Sequence, residues 1–211
     1  SLHAQINPHF LFNTLNTIIA FSRTNPTKTR KLLIHLADFF RHSLKKHQPL
    51  ISLQEELEYV NTYLILEKAR FGEKLKVVQQ ISPEVQHCKL PVLCIQPLVE
   101  NAVKHGLSPK IDGGTVKIVA KQEKQHLLVL VIDDGLGIPA YQLNQILTPG
   151  YGSGNGVGLS NVDERLKGIY GKEYGIRVSS VEQKGTTVLI KIPLSEAAVD
   201  DINKEVASHE A

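Results

Sequence analysis

The 211-residue sequence has no methionine and no tryptophan, only two cysteines, and just 6% aromatic residues. It has no run of 18 apolar residues and no basic, apolar and small-residue pattern at its start, so neither a transmembrane helix nor a secretion signal is predicted. It therefore reads as a soluble intracellular fragment. Because the chain begins at Ser1 and enters an amphipathic pattern almost at once, it also reads as cut from something longer. Cys88 and Cys94 lack the paired spacing of a zinc site and lie in an apolar stretch, which predicts buried, reduced thiols. Acids are scarce in the first 50 residues, which hold seven Lys or Arg against Asp38 alone, while the remainder holds 17 against 20. A basic segment of this kind suits phosphates, anionic lipid, nucleic acid or an acidic protein partner, or else is a solvated helical face.

With 42% hydrophobic residues the chain can bury an ordinary core, and its length suits one domain or two small ones. From Leu2 to about Ser22, Ile6 and Phe10 with Leu11, Leu15 and Ile18 recur at helical intervals until Asn25 and Pro26 break the pattern. A second helix is predicted from about Thr27 to His47, with Leu33, Leu36, Phe40 and Leu44 as its stripe, ending before Pro49. The two form an antiparallel hairpin. Ser52 and Glu55 make a capping box for a third, structural helix that runs to about Arg70 and stops at Gly72.

Beyond Leu75 the texture changes to strands, at Lys76–Ile81, Thr115–Gln122, Leu127–Ile132, Ile176–Val181 and Thr186–Ile192. Helical stretches lie between them, near Ile95–Lys104 and Gly158–Tyr170. This order predicts an α+β sandwich with helices over one face of a mixed sheet, rather than a doubly wound βαβ series. The predicted division is 1–72 helical, 73–194 mixed, and 195–211 a polar tail.

Three segments carry possible ligand chemistry. In Gln96–Gly106, Asn101, Lys104 and His105 fall on neighbouring helical rows, where an amide oxygen suits Mg²⁺ and an ammonium suits phosphate. A solvated helix end would look the same. Asp133 stands at a strand end before Gly135 and Gly137, where its carboxylate could accept a hydrogen bond from an amine such as that of adenine. A plain turn is the simpler alternative. Five glycines between Gly150 and Gly158, followed by Leu159 and a helix, can aim N–H groups at phosphates, or can form a flexible linker.

The order of these segments, closing with Gly185, Thr186 and Thr187, resembles the GHKL (Bergerat) ATPase fold shared by histidine kinases, Hsp90 chaperones and MutL repair proteins. The resemblance implies that Asn101 ligates Mg²⁺, that Asp133 reads the adenine amine, and that Gly135 and Gly137 shape the base pocket. It further implies that Gly154, Gly156, Gly158 and Leu159 belong to a phosphate-holding lid, that Thr186 supports the adenine end, and that Lys104 and His105 lie near the phosphates. Pro97 occupies the position where chaperones of this superfamily carry a water-activating Glu, and the adjacent Glu100 is expected to point elsewhere on the helix. This weakens a reading as an ATP-hydrolysing clamp.

At the start, Gln5, His9, Asn13 and Asn16 make a polar stripe that presents His9 to solvent. Neutral imidazole is a nucleophile at pH 7, so phosphoryl transfer to it needs mainly positioning and charge neutralisation. An ordinary surface histidine is the alternative. The segment Leu2–Asn13, with His9 at its centre, resembles the phosphoacceptor box of LytS/YehU-type sensor histidine kinases. This resemblance extends over residues 2 to 194 and implies a homodimeric helical bundle, autophosphorylation of His9 with ATP and Mg²⁺, and transfer to an aspartate of a LytTR-type response regulator. It implies a bacterial parent protein anchored in the inner or plasma membrane, this part facing the cytoplasm, and no nucleic-acid partner. Pro8 is expected to shape how His9 is displayed. Phe10 follows His9 where many such kinases have an acid, so Glu100 is the expected proton acceptor, and Asn13 is expected to orient the imidazole or a hydrolytic water. An ATP-gated clamp and a serine kinase of the anti-sigma-factor kind are the competing functions; the acceptor helix argues against the latter.

Overall fold

The computed structural model describes residues 8–44, 49–148 and 158–194. The first helix, α1 (Pro8–Thr24), turns at Asn25 into α2 (Pro26–Leu44). The Asn25 side chain accepts the N–H of Lys28 at 2.9 Å, and Pro26 starts the new helix without wasting a donor. The expected hairpin is therefore present. Its buried stripe differs from the one predicted: Phe10, Thr14 and Ile18 on α1 face Leu32, Leu36 and Phe39 on α2. Leu15 and Leu33 point outward, and with Phe12, Ile19 and Ile34 they leave an apolar outer face. Apolar residues on both sides of these helices made the inner side ambiguous in the sequence.

Strand β1 (Leu50–Ser52) leads into α3 (Leu53–Phe71), whose capping box forms as predicted: Ser52 Oγ accepts the Glu55 N–H at 3.2 Å and Glu55 accepts the Ser52 N–H at 2.8 Å. α3 ends at Gly72, whose φ of 60° suits a residue without Cβ. Rings join the three helices, with Phe10 4.9 Å from Phe39 and 5.2 Å from Tyr63, and His42 stacked 4.1 Å from Tyr59. Since Phe39 meets Tyr63 while His42 meets Tyr59, α2 and α3 are antiparallel, and α1 runs parallel to α3.

The remaining strands are β2 (Leu75–Ile81), β3 (Lys89–Pro91), β4 (Gly114–Glu123), β5 (His126–Asp133), β6 (Gly175–Val181) and β7 (Gly185–Pro193). A five-stranded sheet has the order β2-β4-β5-β7-β6, with β2 parallel to β4 and the other pairs antiparallel. The pair β1 and β3, too short to show in the sequence, forms a separate antiparallel ribbon. Helices α4 (Gln96–Asn101), α5 (Ala140–Leu143) and α6 (Leu159–Tyr170) complete the fold, and α4 continues as a π-helical turn over Ala102–Leu107. The mixed α+β sandwich is as predicted; Cys94 is buried, whereas Cys88 is only half-buried.

Inward-facing positions on the central strands alternate as a pleated sheet requires. On β5 they are Leu127, Val129 and Val131, and on β7 Val188, Ile190 and Ile192. The next inward position on each strand is polar: Asp133 on β5 and Thr186 on β7, directly paired across the sheet. The apolar layer gives way to a polar site at this point.

Candidate functional site

Asp133 is 7% exposed because it occupies a core-facing position, yet it is hydrogen-bonded. Its Oδ1 accepts the Gly135 N–H at 2.9 Å. Burial pushes its carboxyl above the ordinary aspartate range, against the lowering effect of hydrogen bonds from the Gly135 and Thr186 backbone. Thr186 Oγ1 is 2.9 Å from Ser180 Oγ, which accepts the Ile138 N–H at 2.8 Å and so ties the loop after β5 to β6 and β7.

The end of α4 packs onto this corner. The Ser108 N–H reaches back five residues to the Val103 carbonyl at 2.8 Å, widening the helix into the π turn, a distortion that recurs at functional sites. Gly106, within that turn, lies so close to Asp133 that a Cβ would stand 2.6 Å from Oδ1. A Cβ on Gly135 would collide with the Gly106 backbone, while the Leu136 N–H donates to the Gly106 carbonyl at 3.0 Å. Gly137 has φ +66° and approaches the Val181 carbonyl, a second place where only glycine fits.

In front of this corner is a cavity of about 720 Å³, a volume suited to a small-molecule ligand. Asn101, Lys104, His105, Asp133, Gly137, Gly158, Leu159 and Thr186, which the family resemblance assigned to one site, all line it. Leu98, Val131, Ile138, Ile146 and Val188 add apolar surface suited to a planar base. Gly135 is not on the wall; its missing side chain lets the loop after β5 close on Gly106. Gly154 and Gly156 lie outside the described residues.

The helical layer supplies another wall of the same cavity, through His9, Phe10, Tyr63, Glu67, Arg70 and Phe71. His9 is exposed, as the polar stripe predicted, and Asn13 Nδ2 lies 3.2 Å from each ring nitrogen. Glu100, expected to point elsewhere, lines the cavity with Asn101 and accepts a hydrogen bond from Gln96 Nε2 at 2.7 Å. Burial raises its carboxyl above the usual glutamate range.

The contribution of α3 escaped the sequence reading, which treated this helix as structural. Glu67 is 3% exposed, and burial pushes its carboxyl up to about 7; Arg70 opposes that rise and Glu100 adds to it. Two buried carboxyls, Glu56 and Glu67, stand eleven residues apart on one face of α3, among its buried Tyr59, Val60 and Tyr63. That spacing was the available signal.

Among the described residues, no group of three or more His, Cys, Asp or Glu could hold a metal ion, and no helix is long and apolar enough to cross a membrane.

A family model described as "Histidine kinase" matches residues 1–75, and one described as "Histidine kinase-, DNA gyrase B-, and HSP90-like ATPase" matches residues 89–196. The chain is 42% identical over 197 residues to the sensor histidine kinase BtsS of Escherichia coli, and 39% identical over 199 residues to the sensor protein LytS of Bacillus subtilis. Each match covers 93% of this chain, and 33% or 34% of the relative, so the chain spans about a third of the length of these relatives. Among solved structures, the histidine kinase domain of a blue-light-activated kinase from Erythrobacter litoralis aligns with a TM-score of 0.52 at 20% identity, over 94% of this chain and 91% of that one. The catalytic domain of histidine kinase ThkA aligns with a TM-score of 0.53 at 19% identity, over 71% and 97%. At these identities the structural likeness speaks for the fold.

Proposed function

Since this chain belongs to the histidine kinase family, with an ATPase domain of the histidine kinase, DNA gyrase B and HSP90 type, we propose that it transfers the γ-phosphoryl group of ATP to its own His9. One observation carries the proposal: His9 and the Asp133–Thr186 corner line a single cavity within one chain. With the adenine amine on Asp133 and the base against Leu98, Val131 and Val188, the phosphates extend toward Lys104 and α1.

The attacking imidazole nitrogen forms the N–P bond as the bond from the γ-phosphorus to the β-phosphate oxygen breaks, releasing ADP. Because the transition state is largely dissociative, the protein's tasks are alignment and charge neutralisation. Asn13 orients the imidazole from one helical turn away, and Lys104 and His105 face the phosphates. Gly154 and Gly156, with Gly158 and Leu159, form the lid in this reading.

The donor set fits Mg²⁺ held chiefly by substrate. Asn101 offers one amide oxygen on the cavity wall, and Mg²⁺ characteristically takes one or two protein oxygens together with phosphates and water. Bound there, the ion neutralises phosphate charge.

We read residues 1–72 as dimerisation and phosphoacceptor helices, 73–194 as the catalytic domain and 195–211 as a tail. The exposed Phe12, Ile19, Leu33 and Ile34 support a homodimer through the hairpin. We further propose that phospho-His9 passes its phosphoryl group to an aspartate of a response regulator of the LytTR type. In this reading the longer parent is a membrane-anchored bacterial sensor whose kinase region faces the cytoplasm.

The test is incubation with γ-labelled ATP and Mg²⁺, comparing the wild type with His9→Gln. Acid-labile, alkali-stable label that disappears in the variant is expected. Unchanged label in His9→Gln would remove the assignment, and tight ATP binding without label would favour the clamp.

A further inference from the structure

His9 must lose a proton to become a neutral phosphohistidine, and Phe10 leaves no acid beside it in the sequence. Glu100 faces the cavity, but its carboxyl already accepts from Gln96 on its own helix at 2.7 Å. The helical layer offers another candidate. Phe10 packs against Tyr63 with ring centroids 5.2 Å apart, and α1 runs parallel to α3. One turn beyond that contact stand Asn13 on α1, beside the His9 ring, and Glu67 on α3, on the wall of the cavity His9 lines. The ion-pair partner of Glu67 among the described residues is Arg70, at a loose 3.5 Å.

We propose that Glu67 accepts the ring proton released by His9 as the phosphoryl group arrives, and donates it back when phospho-His9 returns the group to ADP. In the forward step the N–P bond forms, ADP leaves with the electrons of the broken P–O bond, and the proton on the other ring nitrogen moves to the Glu67 carboxylate, leaving phosphohistidine uncharged at the ring. Solvent later takes that proton. The charged and titratable groups around Glu67 are Tyr63 and Arg70 on α3, Glu100 from α4 and His9 from α1. Burial, reinforced by Glu100 and opposed by Arg70, holds the Glu67 carboxyl near neutrality, where it can both accept and release a proton. The inference rests on the reading of His9 as phosphoacceptor.

The experiment measures kcat for His9 labelling and KM for ATP in the wild type, Glu67→Gln and Glu67→Asp, together with binding of a fluorescent ATP analogue. The expected result is that Glu67→Gln lowers kcat at least ~100-fold, a typical contribution of a general base, with nucleotide affinity and KM within about two-fold. Glu67→Asp, which keeps the carboxylate, should recover part of the rate. A Glu67→Gln rate within about three-fold of wild type would overturn the proposal. So would parallel loss of nucleotide binding in both variants, which would make Glu67 a structural support. Wild-type protein that binds ATP but labels no histidine would fail the His9 reading itself, and this inference with it.

Discussion

Glu56 on α3 accepts the backbone N–H of Ile95 at 2.9 Å, across 39 positions of sequence. The same carboxyl accepts the N–H groups of Gln96 at 3.2 Å and Leu93 at 2.9 Å, so the turn leading into α4 is held by one fully buried side chain. Arg165 of α6 grips the other side of that turn, donating to the Leu93 carbonyl at 2.7 Å. The helical layer, the asparagine helix and the helix after the glycine-rich segment therefore meet at Leu93, a residue with φ of 58° that needs such support.

Glu56→Ala is expected to lose stability by roughly 3 kcal/mol or more, because three buried donors lose their acceptor. Chemical denaturation measures this. Because the turn carries α4, the variant should also weaken ATP binding under conditions where it remains folded.

Glu67→Gln should make the protein more stable at high pH. A carboxyl raised to about 7 in the folded state contributes stability that is full below the unfolded value of about 4.5 and lost as pH rises through about 7. The variant lacks this loss, so its melting temperature should gain on wild type between about pH 4.5 and 7, by an amount equivalent to at most ~3 kcal/mol. Thermal melts across pH 4 to 8 supply the comparison; parallel curves would count against the ionisation.

Asp133→Asn should weaken ATP and ADP binding about 10- to 100-fold by removing a charged acceptor from a buried site. Calorimetric titration gives the affinities directly. Gly135→Ala is expected to cost ~1–3 kcal/mol, because its Cβ overlaps the Gly106 backbone, where neither chain can yield without moving the π turn.

Much of this arrangement was legible beforehand. Asp133 ends an apolar strand and Asn101 lies on a helix with an apolar far side, but each alone also fitted a plain turn or a solvated helix end; the order of the motifs and the family resemblance brought out both. Glu67 was hidden because an acid on a helix that also carries Glu55, Glu58, Lys68 and Arg70 normally reads as solvated; its burial comes from tertiary packing. The inner stripe of the hairpin was misassigned for a related reason. Phe12, Leu15, Leu33 and Ile34 are as apolar as the residues that face α3, and periodicity cannot choose between two apolar sides. Gly135 was expected to help shape the base pocket; its closeness to Gly106 was not legible because it depends on contact between segments about thirty residues apart.

The shared cavity also predicts that phosphorylation occurs within one chain. Mixing His9→Gln with Asp133→Asn, at an ATP concentration that fills the former but not the latter and under conditions that permit subunit exchange, should restore no label, since neither chain then holds both a nucleotide and an acceptor. Recovered labelling would place the acceptor of one chain at the nucleotide of its partner.

The most direct test is to map the phosphate itself. After incubation with ATP and Mg²⁺, digestion and mass spectrometry at alkaline pH should find a phosphoramidate on His9, absent when ATP is omitted. Phosphate on any other residue, or none on protein shown to bind ATP, would contradict the account.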